Sequence, residues 1–424
     1  MNITIEKMKT RLRLICILCL VAGSIGVKGA GRLPFATAEE VGMDPSKLRK
    51  VKQAVGEHLD QDHLAGAVTM VLRQGKIVSL EAHGWQDLDS RRPMQTDTLF
   101  RIYSMTKPIV SAGVMMLVEK GEIKLDKPIA DYLPELEDLQ VYQSGSLTAP
   151  KRPPSVRDLL RHTAGFTYGL FGDSMVDRQY RQARLLDEAN DSKTFLDKVA
   201  KLPLVYHPGS QWVYSISVDL QGVLIERASG KSLDRYLREH FFEPLEMPDT
   251  GFYVPPEKRH RFATYYGEGL ESVESNEQSA YRFPPRFFSG GGGLVSTVED
   301  YAHFLQMLLN EGKLFGRRIL KKASIEEMTR NQLEEPAFPI GIGDRRDGFG
   351  FGLGFSVVTA PSGYDPDARV GEYGWGGIAS THFWVSPDDA LAVITMEQTQ
   401  PYNWNLERGL KGIIYGAIKK PLTP

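Results

Sequence analysis

Strand-forming runs stand at both ends of this chain and helical periodicity fills the middle, and that distribution constrains the fold more than any other feature. Near the start, Ala67-Val68-Thr69-Met70-Val71-Leu72 and Lys76-Ile77-Val78-Ser79-Leu80 flank the turn Arg73-Gln74-Gly75. Two β-branched runs about a short glycine-containing turn predict an antiparallel hairpin. Near the end, strand patterns return over 353–358, 381–385 and 391–396, and a closing helix is expected over 406–418. Between them, segments such as Val156–His162 and Leu220–Arg227 carry apolar residues at helical spacing. The expected fold is therefore α/β of the α+β type: one antiparallel sheet formed from the N- and C-terminal segments, flanked by helices, with a mostly helical insertion. The boundaries read from composition are 31–135 and 290–424 for the sheet domain and 136–289 for the helical one; the Pro- and Gly-rich stretch from Phe283 to Gly293 marks the second junction. There is no internal repeat.

The first residues read differently. Lys7, Lys9, Arg11 and Arg13 precede the apolar run Leu14–Ala22, and Gly23, Ser24 and Gly26 follow. A basic start, a short apolar run and a small-residue exit predict a secretory signal peptide over 1–26. The run is short for a bilayer span, so no stable membrane span is expected after cleavage, and the protein is expected in the periplasm or secreted. The only two cysteines, Cys16 and Cys19, lie inside this segment. The mature chain then has no disulfide framework, thiolate nucleophile or cysteine metal site. A formal net charge of −2 without a basic block gives no footprint for nucleic acid.

One local motif carries chemistry. Residues 104–120 show helical spacing through Ile109, Val110, Val114, Leu117 and Val118, and Gly121 supplies the stop. Pro108 fits only in a first turn, which has no internal amide bond to lose, so Ser104 stands at the helix N-terminus. Residues three apart share a helix face, which brings Lys107 beside Ser104. A hydroxyl needs a base to become a nucleophile, and a lysine taken out of water can serve. The helix N-terminus favours a developing oxyanion. Ser-x-x-Lys alone is weak, because it arises by chance on solvated helix faces.

Context strengthens it. Phe100-Arg101-Ile102-Tyr103-Ser104-Met105-Thr106-Lys107-Pro108, Asp158-Leu159-Leu160-Arg161-His162-Thr163-Ala164-Gly165, Tyr214-Ser215-Ile216-Ser217-Val218-Asp219 and Tyr373-Gly374-Trp375-Gly376-Gly377 occur in that order. With these motifs the chain resembles the serine β-lactamase and penicillin-binding superfamily over about 36–415. It is most similar to the class C β-lactamase branch and, within it, to the family VIII carboxylesterases. The resemblance implies Ser104 as acylated nucleophile, Lys107 as partner base and Tyr214 as the tyrosine that shuttles protons. Trp375-Gly376-Gly377 takes the place of the family's Lys-Thr-Gly strand motif, and the backbone amides of Ser104 and Ile378 would form the oxyanion hole. Two departures bear on substrate. Ile216 stands where β-lactamases carry Asn, and Trp375 where they carry Lys. Both replace polar anchors for an anionic β-lactam by apolar surface, which suits neutral esters. The implied activity is ester hydrolysis through a covalent acyl-enzyme, on a small-molecule substrate and with no cofactor or metal. Rivals are a β-lactamase or D-amino-acid peptidase of the same fold, an acyltransferase, and a non-catalytic envelope binding protein.

Tyr168 and Phe288, with Tyr103 and Trp375, are candidates to line an aromatic substrate cleft; a core role competes for all but Trp375. Other features take ordinary structural readings. Gly230-Lys231-Ser232 mimics a P-loop end but has Ile225 where the leading glycine belongs, so it reads as a helix end. Gly290–Gly293 reads as a flexible lead into the next element, and His162 as structural. His58 and His63 lack metal-ligand spacing. No Gly-x-Ser-x-Gly elbow points to an α/β-hydrolase.

Overall fold

The computed structural model describes residues 31–419; the expected signal peptide lies outside the described residues. An eight-stranded sheet organises the rest. Its strands are β1 (Gly66–Arg73), β2 (Lys76–Asp87), β3 (Arg92–Pro93), β4 (Phe349–Phe351), β5 (Ser356–Val358), β6 (Tyr373–Gly377), β7 (Thr381–Ser386) and β8 (Leu391–Met396), in the order β4-β5-β6-β7-β8-β1-β2-β3. Every neighbouring pair is antiparallel. The two ends of the chain meet where β1 pairs with β8, with Val68 opposite Met396 and Met70 opposite Ile394.

Helices cover both faces, which is why β1, β6, β7 and β8 are buried at every position instead of alternating with water. On one face, α1 (Lys50–Asp60) supplies Val51 and Val55 to a core with Val71, Trp384 and Val393. The larger core on the other face contains Met70, Phe383 and Ile394 together with α2 (Thr106–Glu119), α3 (Ser217–Ser229) and α4 (Val298–Leu309). The closing helix α5 (Asn405–Ala417) sets Leu406, Leu410 and Ile414 against the α1 face. Thr297 caps α4 by accepting from the Asp300 amide, and Asp300 stands in its first turn.

The sequence reading differs from the structure at three places. The strand expected over 353–358 is paired only from Ser356, because the Leu353 amide turns away to the Met328 carbonyl, 2.9 Å distant. The middle of the chain also holds short hairpins, Val141–Gln143 with Ser146–Thr148 and Tyr265–Tyr266 with Ser272–Glu274. The helix expected from 104 begins as a 3₁₀ turn, Tyr103–Met105, before α2. Pro108 has no amide to give the Ser104 carbonyl, and the Thr106 amide turns to the Tyr103 and Ser104 carbonyls instead. Among the described residues no helix is long and apolar enough to cross a membrane.

Candidate active site

Ser104 sits in the 3₁₀ turn at the start of α2. The preceding residue, Tyr103, has φ 39°, a left-handed value that costs a side-chain-bearing residue energy and must be held by its surroundings. Those surroundings are visible. Tyr301 of α4 donates its hydroxyl to the Met105 carbonyl at 2.9 Å. The Leu294 amide donates to Thr106 Oγ1 at 3.1 Å, and the Ile102 amide to the Leu294 carbonyl at 3.1 Å. Just upstream, Arg101 is fully buried, ion-paired with Glu274 at 2.8 Å and laid over the Phe262 ring at 4.0 Å.

Helical spacing then does what local geometry requires. Lys107 Nζ, with its side chain buried, donates to Ser104 Oγ at 3.1 Å and to the Gly291 carbonyl at 2.5 Å. Tyr214 arrives from a different segment, just before α3, and its hydroxyl donates to Ser104 Oγ at 2.7 Å. The Val213 amide, bonded to the His162 carbonyl at 2.9 Å, fixes that segment. The Lys107 ammonium position lies 4.6 Å from the Tyr214 ring centroid and 5.2 Å from that of Tyr168, so aromatic faces as well as hydrogen bonds hold it.

β6 brings the fourth side of the site. A Cβ on Gly377 would run into the Ile102 carbonyl oxygen, so only glycine lets the end of this strand lie against the turn that carries Ser104. Ile378 follows directly and is 49% exposed. Trp375 is almost wholly buried. Its indole Nε1 lies 3.4 Å from the Tyr214 hydroxyl, and its ring packs against Tyr214 and edge-on to Phe351. Trp375 thus backs the tyrosine. Ile216, just ahead of α3, is buried as well. Gly376 backs onto His382, its cross-strand partner, and Tyr402. Tyr168 is half-buried and donates to Asp219 Oδ2 at 3.2 Å, while Phe288 is half-buried and packs edge-on against Phe252. Tyr103 packs between Tyr265 and Tyr281.

Sequence reasoning passed over Asp219. It lies in the first turn of α3 with no exposed surface. Its Oδ1 accepts from Ser289 Oγ at 2.5 Å and from the Gly291 amide at 3.0 Å. Burial pushes its carboxyl up and the nearby Lys107 charge opposes that push. Gly291 is thus held through its amide by Asp219 and holds Lys107 through its carbonyl. A Cβ on Gly291 would run into Asp219 Oδ2 and the Tyr168 hydroxyl. The glycine run read as a flexible lead is, at this position, a clamp of close approaches. The usable signal was Asp219 itself, an acid beside the apolar residues Val218, Leu220, Val223, Leu224 and Ile225, five residues after Tyr214.

His162 is buried against the same tyrosine, ring centroids 5.1 Å apart, with Nδ1 3.2 Å from Ser215 Oγ. Burial first, and the Lys107 charge second, press its imidazole well below the ordinary value, so it stays neutral. The acid of its motif, Asp158, is a structural hub: it accepts from Arg152, Arg161, Ser155 and Thr163 and pins the turn that leads to His162. His58 and His63 meet each other through their Nδ1 atoms at 3.3 Å.

The Beta-lactamase family model matches residues 51–414. Protein Rv1367c of Mycobacterium tuberculosis is 33% identical over 372 residues, covering 82% of this chain and 89% of that protein. Esterase EstB of Burkholderia gladioli is 31% identical over 380 residues, covering 84% of this chain and 92% of its own. The solved structure of EstCE1, a hydrolase with promiscuous acyltransferase activity, superposes with a TM-score of 0.76 at 24% identity, covering 88% of this chain and 99% of that one. A family match that takes in α1, the Ser104 turn, Tyr214 and nearly all of α5 makes this chain a member of the beta-lactamase family, in the part of it that includes esterases.

Proposed function

We propose that the protein is a serine hydrolase of carboxylic esters that works through a covalent acyl-enzyme. The observation that carries this reading is the convergence on Ser104 Oγ of Lys107 Nζ at 3.1 Å and the Tyr214 hydroxyl at 2.7 Å, from segments 107 residues apart in sequence at their tips. Ser104 Oγ attacks the ester carbonyl carbon, and its proton passes to the Lys107–Tyr214 pair. The tetrahedral oxyanion is taken by the amides of Ser104 and Ile378. Tyr214 returns the proton to the departing alkoxide, leaving the acyl group on Ser104. The same pair then takes a proton from water, whose oxygen attacks the acyl carbon; the acid leaves and Ser104 regains its proton.

Esters are favoured over β-lactams because the two anchors a β-lactam needs are apolar here. Trp375 offers no cation for a carboxylate, and Ile216 offers no amide for the side chain. Losing one charge-assisted contact costs roughly 1.5–3 kcal/mol, so two losses amount to several hundred-fold or more in specificity. The likeness to EstB supports the same choice. The test compares kcat/KM for p-nitrophenyl butyrate and a chromogenic cephalosporin on one preparation, with Ser104→Ala alongside. Clear ester turnover, a far lower cephalosporin value and loss of both in the variant are expected. A cephalosporin value equal to or above the ester value overturns the ester reading, and full activity in Ser104→Ala overturns the nucleophile.

A further inference from the structure

Apolar side chains are left in water at the edge of the Ser104 site, on a loop that is not loose. Leu170, Phe171 and Met175 are 65%, 50% and 45% exposed. The backbone beneath them is tied down at several points. The Tyr168 hydroxyl donates to Asp219 Oδ2 at 3.2 Å, and the Gly169 amide to Thr167 Oγ1 at 2.9 Å. Arg181 donates to the Gly169 carbonyl and, at 3.0 Å, to that of Gly172. Ser174 caps the helix Met175–Ala183 in a reciprocal box with Asp177, whose other oxygen takes Thr167 Oγ1 at 2.8 Å. The loop is therefore fixed by its main chain while its largest side chains stand out from it.

Where they stand is the second observation. The Phe171 ring lies 5.8 Å from the Tyr214 ring, and the Tyr214 hydroxyl touches Ser104 Oγ. Ile378, the residue that follows β6, is 49% exposed beside the same serine turn. The charges of the loop are spent on each other: Asp173 pairs with Arg178 at 3.0 Å and with Arg181 at 2.5 Å. An ionic substrate group would find no open partner there. Apolar surface held out rigidly next to reacting atoms marks a place where something apolar binds.

We propose that Leu170 and Phe171 grip the hydrocarbon part of the substrate, so that the preferred esters carry an apolar chain longer than butyl. This rests on Ser104 being the acylated nucleophile. The chain lies along the 168–175 loop, continuous with the Tyr214 ring, and leaves water as the ester carbonyl reaches Ser104. Each methylene so buried raises kcat/KM by up to about 4-fold. The gain stops when the chain outruns the loop.

The test is a chain-length series on the purified protein, read as kcat/KM. One arm uses p-nitrophenyl acetate, butyrate, octanoate and dodecanoate; the other uses butyl, hexyl, octyl and decyl acetates. Wild type is expected to rise at least about 10-fold from butyl to octyl length in one arm, and the arm in which it rises identifies the acyl or the alcohol side. Leu170→Ser/Phe171→Ser should flatten that rise. Leu147→Ser, a change at another exposed leucine on the separate 146–148 strand, should keep it. Because the altered side chains are exposed, the fold should survive, and a circular-dichroism melt checks it. A wild-type profile flat or falling beyond butyl in both arms overturns the proposal, as does an unchanged slope in the double variant. Inactivity on every ester, with no fluorophosphonate label on Ser104, overturns the catalytic reading as well.

Discussion

Replacing Asp219 with alanine should disable the enzyme without touching Ser104 or the two side chains that meet at its hydroxyl. The carboxylate is wholly buried and takes hydrogen bonds from Ser289 Oγ, the Gly291 amide and the Tyr168 hydroxyl. Alanine leaves three donors without an acceptor. At about 1 kcal/mol each, the fold loses roughly 3 kcal/mol, which for a domain of this size lowers the melting midpoint by about 4 °C. The catalytic consequence runs through Gly291, whose carbonyl accepts from Lys107 Nζ at 2.5 Å. If the freed 289–291 segment lets Lys107 drift by about 1 Å, kcat falls by roughly 100-fold. Asp219→Asn keeps the shape and an oxygen that still accepts from the Gly291 amide and Ser289 Oγ, and the Tyr168 oxygen can accept from its amide group, so it should lose less of both. The assay is kcat and KM measured separately on p-nitrophenyl butyrate, with a thermal melt of each variant. A loss in kcat with KM within about 3-fold is the signature of a displaced base rather than weakened binding. An alanine variant with wild-type kcat, or a loss confined to KM, refutes the reasoning.

Lys107→Ala and Tyr214→Phe should each lower kcat by about 10²–10⁴-fold, and the double variant by far less than the product, because the two groups serve one hydroxyl; additive logarithmic losses would argue against the shared role. Burial pushes the Asp158 carboxyl up, but hydrogen bonds from Arg152 and Ser155 and the Arg152 charge prevail and hold it at about 2, below its ordinary 3.8. A depressed acid stabilises the fold fully above its unfolded value and loses that contribution as pH falls through its folded value. Asp158→Asn should therefore cost about 2 kcal/mol above pH 5, with the gap to wild type narrowing between about pH 4 and 2 in denaturant melts; a gap independent of pH would show that the charge is not the cause. Export predicts a mature protein that begins near residue 24–31 when recovered from an envelope or secreted fraction and weighed by mass spectrometry; a cytosolic chain with an intact Met1 terminus would reject it.

The features that could be read from the sequence are those set by local geometry. β1, β2, β7 and β8 announce themselves because β-branched runs and a turn are short-range signals, and α2 because its apolar spacing needs only one helix period. Lys107 faces Ser104 for the same reason: three residues along a helix are neighbours whatever surrounds them. Tyr214 could be singled out only through the motif it shares with a family, since nothing in its own spacing says which serine it meets.

The rest was decided by segments that are far apart in the chain and adjacent in space. Asp219 reaches Gly291 across 72 residues, and Gly291 reaches Lys107 across 184. No periodicity records either contact, so the task of the buried acid is not legible in the sequence, and a clamp reads as a loose glycine run. Trp375 read as a substrate-facing ring, yet tertiary packing encloses it behind Tyr214, and only that packing leaves Leu170, Phe171 and Ile378 in water instead. A chain's pattern determines which backbone forms and which face of it is apolar. Which apolar groups end up sealed, and which buried charge finds its partner, depends on desolvation and close approach between elements, and these exist only once the sheet has brought both ends of the chain together.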